Sequence, residues 1–231
     1  MIPTIVHDFY KLFYPAICGG CDTTLAKGEQ QLCFHCRLAL PFTQFEKIQN
    51  NPVEQLFFGR VPIEFGTALL YFSKAEMVQQ IMHNIKYNDK KDLAQLLGKI
   101  LGERLQNIAS LHDVTAIVPV PLHERKLRMR GYNQSECLAE GINEILKVDI
   151  VVNGIQRIKH TDSQTNKNMI ERWENVKDAF EIKQIEKLKN KHILLLDDVL
   201  TTGATLEACA LTLIEKANCK VSIATLAFVA D

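Results

Sequence analysis

The residues best suited to chemistry lie in a short acidic and threonine-rich segment near the C-terminus. An apolar stretch, Ile193 to Leu196, runs into the acidic pair Asp197 and Asp198. Small residues follow, and they let backbone N–H groups approach a phosphate, while a glycine permits dihedral angles that other residues avoid. The segment predicts an anion-binding loop that opens a helix. Its candidate ligand-binding residues are Val199, Leu200, Thr201, Thr202, Gly203, Ala204 and Thr205.

The acidic pair limits what the ligand can be. Carboxylates directly before an anion-binding loop repel a phosphate unless they face a neutral or cationic group. The vicinal hydroxyls of a ribose, with Mg²⁺ nearby, satisfy that condition. We therefore expect Asp197 and Asp198 to act on the sugar, as the candidate catalytic residues, while the loop binds the phosphate of a phosphorylated ribose. The alternative is an ordinary strand-to-helix turn in which Asp and Thr serve only as caps.

Such a loop must be positioned by a sheet, and the chain has a strand and helix rhythm from residue 63 onward. Apolar runs predict strands at Phe65 to Phe72, Thr115 to Pro121, Val151 to Ile158, Ala179 to Ile182, His192 to Leu196 and Val221 to Val229. Helical spacing predicts helices at Glu76 to Lys86, Asp92 to Ile108, Asn133 to Leu146 and Thr205 to Ala217. Strands that are apolar throughout are typical of a parallel sheet covered by helices on both faces. The fold class is therefore α/β, with ligands expected at the carboxyl edge of the sheet.

The cysteines form a second candidate site. Of seven, four occur as two Cys-x-x-Cys pairs separated by eleven residues, Cys18 with Cys21 and Cys33 with Cys36. Each pair has the spacing of a zinc knuckle, and four thiolates complete a tetrahedral zinc site with no open position, which makes it structural. We expect a small zinc-ribbon-like knob over residues 14 to 41. Reduced structural cysteines without metal are the alternative.

The remaining segments suggest a two-part organisation. Residues 1–62 would hold an N-terminal helix, the knob and a connector. Residues 63–231 would form the α/β domain. Within it, the polar stretch 160–178 is long for a connection in a compact domain, and loops of this kind are usually lids or binding loops.

Composition narrows the functional classes. The chain has 231 residues, of which 47% are hydrophobic, enough for one α/β domain and a small appendage. Its 27 basic and 27 acidic side chains cancel, so net charge neither suggests nor excludes nucleic acid. No apolar run approaches the roughly 20 residues of a membrane span, and the N-terminus has no signal-peptide pattern. We expect a cytoplasmic protein.

The acidic and threonine-rich segment resembles the motif that binds 5-phosphoribosyl 1-pyrophosphate (PRPP) in type I phosphoribosyltransferases. Nearly the whole chain resembles the ComF family, whose ComFC members are linked to DNA uptake in competent bacteria. Besides that segment and the cysteine pairs, the resemblance rests on Lys86-Tyr87, Val118-Pro-Val-Pro-Leu-His123, Arg130-Gly-Tyr-Asn-Gln134, Arg157, Thr161, Gln164, Arg172, Asn175 and Ala179-Phe180.

The resemblance assigns further site residues. It implies that the loop after the second strand, with Pro121 and Leu122, faces the pyrophosphate of PRPP, where Arg125 and Arg130 would supply charge. It also implies that residues 160–178 are a lid. Three more residues would then bind ligand, Arg172 from the lid and Lys86 and Tyr87 from a hood over residues 63–112.

Three functions are compatible with this pattern. The first is a phosphoribosyltransferase that uses PRPP and Mg²⁺, transfers the ribose at C1 to an acceptor such as a nucleobase, and releases pyrophosphate. It would serve DNA uptake or nucleotide salvage. The second is a competence factor that binds single-stranded DNA or proteins of the competence machinery. The third is a regulator that senses PRPP without turnover.

Overall fold

The centre of the protein is a five-stranded parallel sheet. A computed structural model describes residues 15–72, 76–158 and 179–230. Its strands are β1 (Phe65–Tyr71), β2 (Val114–Pro119), β3 (Asp149–Ile150), β6 (His192–Leu200) and β7 (Lys220–Phe228). Their order in the sheet is β1-β7-β6-β2-β3, and every neighbouring pair is parallel. A separate antiparallel pair consists of β4 (Ile155–Arg157) and β5 (Phe180–Ile182).

Helices cover both faces of the sheet, so the predicted α/β fold class is confirmed. The helices are α1 (Phe34–Leu38), α2 (Pro52–Phe57), α3 (Glu76–Tyr87), α4 (Lys91–Leu105), α5 (Glu124–Arg130), α6 (Gln134–Leu146), α7 (Ile185–Leu188) and α8 (Ala204–Ala217). Alternate residues of β6 enter two cores: Leu194 and Leu196 pack with α3, α4 and α6, whereas Ile193 and Leu195 pack with α2 and α8. A strand apolar on both faces is the expected centre of such a sheet.

The helices of the first core pack closely because of two glycines. A Cβ atom at Gly98 of α4 would lie 2.2 Å from the carbonyl oxygen of Leu138 in α6. In the reverse direction, a Cβ at Gly141 would lie 2.0 Å from the carbonyl oxygen of Gln95. The backbones of α4 and α6 therefore touch, and this contact fixes the two helices against each other.

Two predictions about these elements are wrong. The strand predicted at Val151 to Ile158 is limited to Ile155–Arg157, because Asn153 adopts a left-handed conformation with φ of 55° in a turn that ends at Gly154. The chain thus leaves the main sheet after β3 and starts the antiparallel pair at β4. Residues 42–62 are not a plain connector either, since Asn51 and Glu54 form a capping box that starts α2.

The acidic pair and the two residues after it belong to a strand, not to a loop. The predicted strand His192 to Leu196 continues to Leu200, and its register pairs Val199 with Ala227. Hydrogen bonding to β7 beyond the last apolar run explains the extension. No helix in the described ranges is both long and apolar enough to cross a membrane.

Candidate functional site

The acidic pair lies where the central strand β6 extends beyond the end of the neighbouring strand β2. β2 ends at Pro119, which pairs with Leu196, whereas β6 continues beside β7 and pairs Asp197 with Thr225. Both carboxylates are therefore at the carboxyl edge of the sheet, where a parallel α/β fold binds ligands. This is the position that the sequence predicts for them.

Asp197 is held by two donors and titrates unusually. Its Oδ1 accepts a hydrogen bond from the backbone N–H of Asp198 at 2.8 Å and one from the Ser135 hydroxyl at 3.3 Å. Burial, followed by the neighbouring charge of Asp198, raises the pKa of Asp197 to about 7, and these hydrogen bonds and Lys86 oppose the rise only partly. Asp197 can therefore exchange a proton near neutral pH, a property common in functional sites.

Lys86 supplies the cation that faces the pair. Its Nζ lies 3.1 Å from Oδ2 of Asp198, and the two side chains are only 22% and 15% exposed. The residue is the penultimate one of α3, so the helix, not a loop, carries the charge to the sheet edge. Lys86 thus contacts the predicted sugar-binding acids.

The predicted anion-binding loop lies directly after β6. Thr201 and Thr202 are exposed, and Gly203 adopts a left-handed conformation with φ of 75° immediately before α8. A Cβ at Gly203 would lie 3.1 Å from the Phe57 ring, so glycine meets both a conformational and a steric need there. Exposed hydroxyls at the start of a 14-residue helix are suited to an anion. Leu200 differs, because its side chain is fully buried and cannot contact a ligand.

Arg60 fixes this loop, a role that the sequence did not predict. Its Nη1 donates to the carbonyl oxygens of Leu56 at 3.1 Å and Thr202 at 3.2 Å. Its Nη2 pairs with the Glu207 carboxylate in the first turns of α8. One guanidinium therefore joins α2, the loop and α8, although 142 residues separate Arg60 from Thr202. No short-range pattern could reveal this contact.

The basic segment after β2 forms a surface helix near Tyr87. Pro121 and Leu122 are partly exposed, and α5 has no buried residue, so Arg125 is open to solvent. The Arg130 guanidinium lies 5.4 Å from the centre of the Tyr87 ring. Its Nη1 donates to Gln134 at 3.0 Å, whereas its buried Nε has no hydrogen-bond partner among the described residues. A buried donor without a partner is costly unless a ligand supplies an acceptor.

The four cysteines meet at one point of the knob. Their Sγ atoms all lie within 4.8 Å of one another. The Sγ atoms of Cys21 and Cys33 lie 3.7 Å apart. Two thiolate sulfurs bound at about 2.3 Å to a tetrahedral zinc ion would lie about 3.8 Å apart, which is close to this distance. Backbone N–H groups of Gly20 and Cys33 point at the Cys18 sulfur at 3.4 and 3.2 Å. This set could hold one zinc ion.

The thiols of this cluster differ in their readiness to lose a proton. Hydrogen bonds from Thr23 lower the pKa of Cys21 to about 6, while burial raises the pKa of Cys36. Metal binding requires thiolates, so a bound cation would replace the proton that burial retains on Cys36. The donor set and its geometry fit zinc.

One predicted site residue, Arg172, and the whole of the proposed lid 160–178 lie outside the described residues. In the sequence, that segment lies between two paired strands: β4 ends at Arg157 before it, and β5 begins at Phe180 after it. Ser135 is a site residue that the sequence analysis missed, although one local pattern could have indicated it. It lies two residues after Asn133, whose side chain accepts a hydrogen bond from the Ser135 N–H and caps α6 at the sheet edge.

Known proteins resemble this chain in sequence. Residues 134–231 match the phosphoribosyl transferase domain family. DNA utilization protein YhgH of Escherichia coli strain K12 is 23% identical over 92% of this chain and 96% of its own length. Competence protein F of Haemophilus influenzae is 28% identical over 57% of this chain, and the match spans 59% of that protein. Competence protein ComFC of Bacillus subtilis is 32% identical over 55% of this chain and 46% of that protein.

Solved structures with similar folds include adenine phosphoribosyltransferase of Leishmania tarentolae. It is 14% identical, with a TM-score of 0.41 over 78% of this chain and 89% of that chain. The glutamine PRPP amidotransferase of Bacillus subtilis is 16% identical, with a TM-score of 0.39 over 61% of this chain and 30% of that chain.

The sequence relatives are competence and DNA utilization proteins, and the matched region contains the acidic pair, the predicted anion-binding loop and α6. A four-cysteine cluster precedes this region, as the resemblance in sequence predicts. The chain is similar to competence and DNA utilization proteins of the ComF family, and its residues 134–231 match the phosphoribosyl transferase domain family.

Proposed function

We propose that the protein binds PRPP at the carboxyl edge of its sheet. One observation carries the proposal: a partly buried acidic pair with a lysine counter-ion lies directly before an exposed threonine-rich loop at a helix N-terminus. A phosphorylated sugar has hydroxyl groups for the first feature and an anion for the second. Neither a bare phosphate nor a neutral sugar would use both.

Each part of the ligand has a proposed partner. The ribose hydroxyls donate to Asp197 and Asp198, and the 5-phosphate accepts from the hydroxyls and backbone of Thr201 to Thr205. The pyrophosphate faces Arg125 and Arg130, whose guanidinium groups suit a dianion. The buried Nε of Arg130, which has no partner among the described residues, supports this assignment.

We further propose that the bound ligand is turned over. A nucleophilic atom of an acceptor forms a bond to ribose C1, the bond from C1 to the pyrophosphate oxygen breaks, and pyrophosphate leaves with the electron pair. Mg²⁺, held mainly by oxygens of PRPP and water, would neutralise the leaving group. The side chains named above position the sugar and stabilise charge, which is how an enzyme of this kind lowers the barrier.

The proposed role of the cysteine cluster is to hold one structural zinc ion. Four thiolate ligands leave no position for water or substrate, so zinc would stabilise the knob and take no part in the transfer. The names of the relatives suggest that the protein serves DNA uptake or DNA use.

Isothermal titration with PRPP and Mg²⁺ tests the binding site. Asp197→Asn combined with Asp198→Asn should weaken PRPP binding, by about 1.5–3 kcal/mol for each charged hydrogen bond lost. Asp149→Asn is the matched control, because this acid is 78% exposed and lies on the edge strand β3. Unchanged affinity in a folded double mutant would refute the assignment.

A screen for pyrophosphate release separates an enzyme from a sensor. Nucleobases are added singly to protein saturated with PRPP and Mg²⁺, and release that depends on one acceptor indicates transfer. Tight PRPP binding without release for any base would favour a regulator.

Single-stranded DNA binding is a second candidate, favoured by the exposure of α5. The helix exposes Arg125, Lys126 and Arg128, and Arg130 at its end lies 5.4 Å from the centre of the exposed Tyr87 ring. Cations with an aromatic ring are typical of single-strand binding. Replacing Arg125, Lys126 and Arg128 with glutamate should abolish binding and its salt dependence. Binding that survives these changes would remove this surface from consideration.

A further inference from the structure

The cysteine knob is joined to the helix that supplies Lys86. A Cβ atom at Gly19, between the first two cysteines, would lie 2.5 Å from the Leu93 side chain of α4. A Cβ at Gly20 would lie 3.2 Å from Met77 of α3. Gln80 of α3 donates to Asp22 of the knob at 2.9 Å. The knob is therefore packed on α3 and α4 and is not a separate appendage.

Asn84 makes the one buried polar contact in this interface that the described residues show. Its Nδ2 donates to the carbonyl oxygen of Gly19 at 2.9 Å, and its Oδ1 accepts from Asn88 at 2.7 Å. Asn84 is only 4% exposed. Loss of a buried donor leaves the Gly19 carbonyl without this partner, which carries a desolvation cost. The contact therefore ties the turn of the first Cys-x-x-Cys pair to α3.

The same end of α3 reaches the acidic pair. The hydroxyl of Tyr132 donates to the carbonyl oxygen of Ile85, and Lys86 lies 3.1 Å from Asp198. Two residues along one helix thus separate the contact with the knob from the contact with the acids. Since a helix transmits position over so short a distance, the two contacts depend on the same placement of α3.

We propose that Asn84 is a positioning residue through which the cysteine knob sets Lys86 against the acidic pair, so that metal in the knob and PRPP at the sheet edge bind cooperatively. The proposal rests on the proposed function. A metal that orders the turn at Gly19 strengthens the Asn84 contact and fixes the end of α3. Lys86 then stays where it neutralises Asp198 while the ribose hydroxyls bind.

Thermodynamic linkage makes the proposal quantitative. If zinc raises the affinity for PRPP by some factor, PRPP must raise the affinity for zinc by the same factor. The wild-type protein can be tested in both directions. PRPP affinity is measured by calorimetry with zinc-loaded protein and with protein treated with a zinc-selective chelator, and zinc affinity is measured by competition with a chromogenic chelator, with and without Mg²⁺ and PRPP.

The expected coupling is roughly fivefold or more in each direction, the lower end of common allosteric couplings. In Asn84→Ala, both factors should fall towards one. Gln79→Ala is the control, because this residue is exposed on the same helix and its side chain forms no hydrogen bond with another described residue. Lys86→Met tests the last step: zinc should bind as in the wild type, whereas PRPP affinity should no longer depend on zinc.

The results distinguish this inference from the proposed function. If the zinc-loaded wild type does not bind PRPP, the proposed function fails. If it binds PRPP with the same affinity with and without zinc, the coupling is refuted and the binding site stands. Thermal unfolding of each variant identifies any that fail to fold, and the reciprocal measurement on the wild type needs no variant.

Discussion

The ammonium group of Lys86 lies 3.1 Å from Oδ2 of Asp198, and Oδ1 of the adjacent Asp197 accepts the Asp198 N–H. Two carboxylates and one cation therefore share a poorly solvated position at the end of β6. The lysine offsets one negative charge and leaves the other to be stabilised by hydrogen bonds and by a proton. This balance determines how the site responds to mutation and to pH.

We expect Lys86→Met to destabilise the protein at pH 8 by about 1–2 kcal/mol, since two adjacent, poorly solvated acids lose the cation that faces them. Asp198→Asn in the same chain should recover most of that loss, and chemical denaturation of the single and double mutants gives the coupling energy. Lys183→Met should change stability little, because its pair with Glu181 is largely exposed. If the Lys86→Met and Asp198→Asn substitutions change the free energy of unfolding additively, a direct ion pair between the two residues is contradicted.

Stability should depend on the ionisation of Asp197. Its pKa is raised from 3.8 to about 7 in the folded protein, so the folded state keeps a proton that the unfolded chain releases. The stabilisation is present below the pKa that Asp197 has in the unfolded chain, and it is lost as the pH rises towards 7. Burial and the charge of Asp198 raise this pKa, whereas hydrogen bonds from Ser135 and the Asp198 backbone and the charge of Lys86 lower it.

Asp197→Asn removes this titration. Relative to wild type, the variant should gain stability between pH 4 and 8, by about 4 kcal/mol in total, because about 1.4 kcal/mol accompanies each unit by which the pKa is raised. Unfolding curves at several pH values measure the difference. Parallel curves for the two proteins would show that Asp197 ionises with an ordinary pKa.

Gly203→Ala should impair both stability and ligand binding. Its φ of 75° disfavours any side chain, and the added Cβ would lie 3.1 Å from Phe57. We expect a loss of about 1–3 kcal/mol in stability and weaker binding of ribose 5-phosphate. Gly28→Ala is a matched control for backbone strain alone, since its φ is 95° and a Cβ there would meet no atom within 4 Å. Equal binding by Gly203→Ala and wild type would place the phosphate elsewhere.

Cys33→Ser should release metal from the knob. A three-thiolate site binds zinc more weakly, and metal binding contributes directly to folding of a small metal-stabilised unit. Elemental analysis of protein purified under reducing conditions without chelator should find one zinc per wild-type chain and less in the variant. Cys209→Ser, a buried cysteine in α8 far along the sequence, is the control. Wild-type protein without zinc would refute the metal assignment.

Local patterns in the sequence determined the class of the fold and the kinds of side chain that form the candidate sites. Apolar strands followed by small and acidic residues predict a parallel sheet with an anion-binding loop, because strand burial and loop backbone freedom are properties of neighbouring residues. The paired Cys-x-x-Cys spacing predicts the four-sulfur cluster for the same reason. These predictions depend on contacts within about one turn or one strand.

Tertiary structure decided which residues complete those features. Lys86 and Asp198 are more than a hundred residues apart in the chain, and Arg60 and Thr202 are 142 apart, yet each pair is in contact. Such contacts result from the order of strands in the sheet and from the helix packing allowed by Gly98 and Gly141. No local pattern specifies them, because they depend on how the whole chain packs its apolar faces.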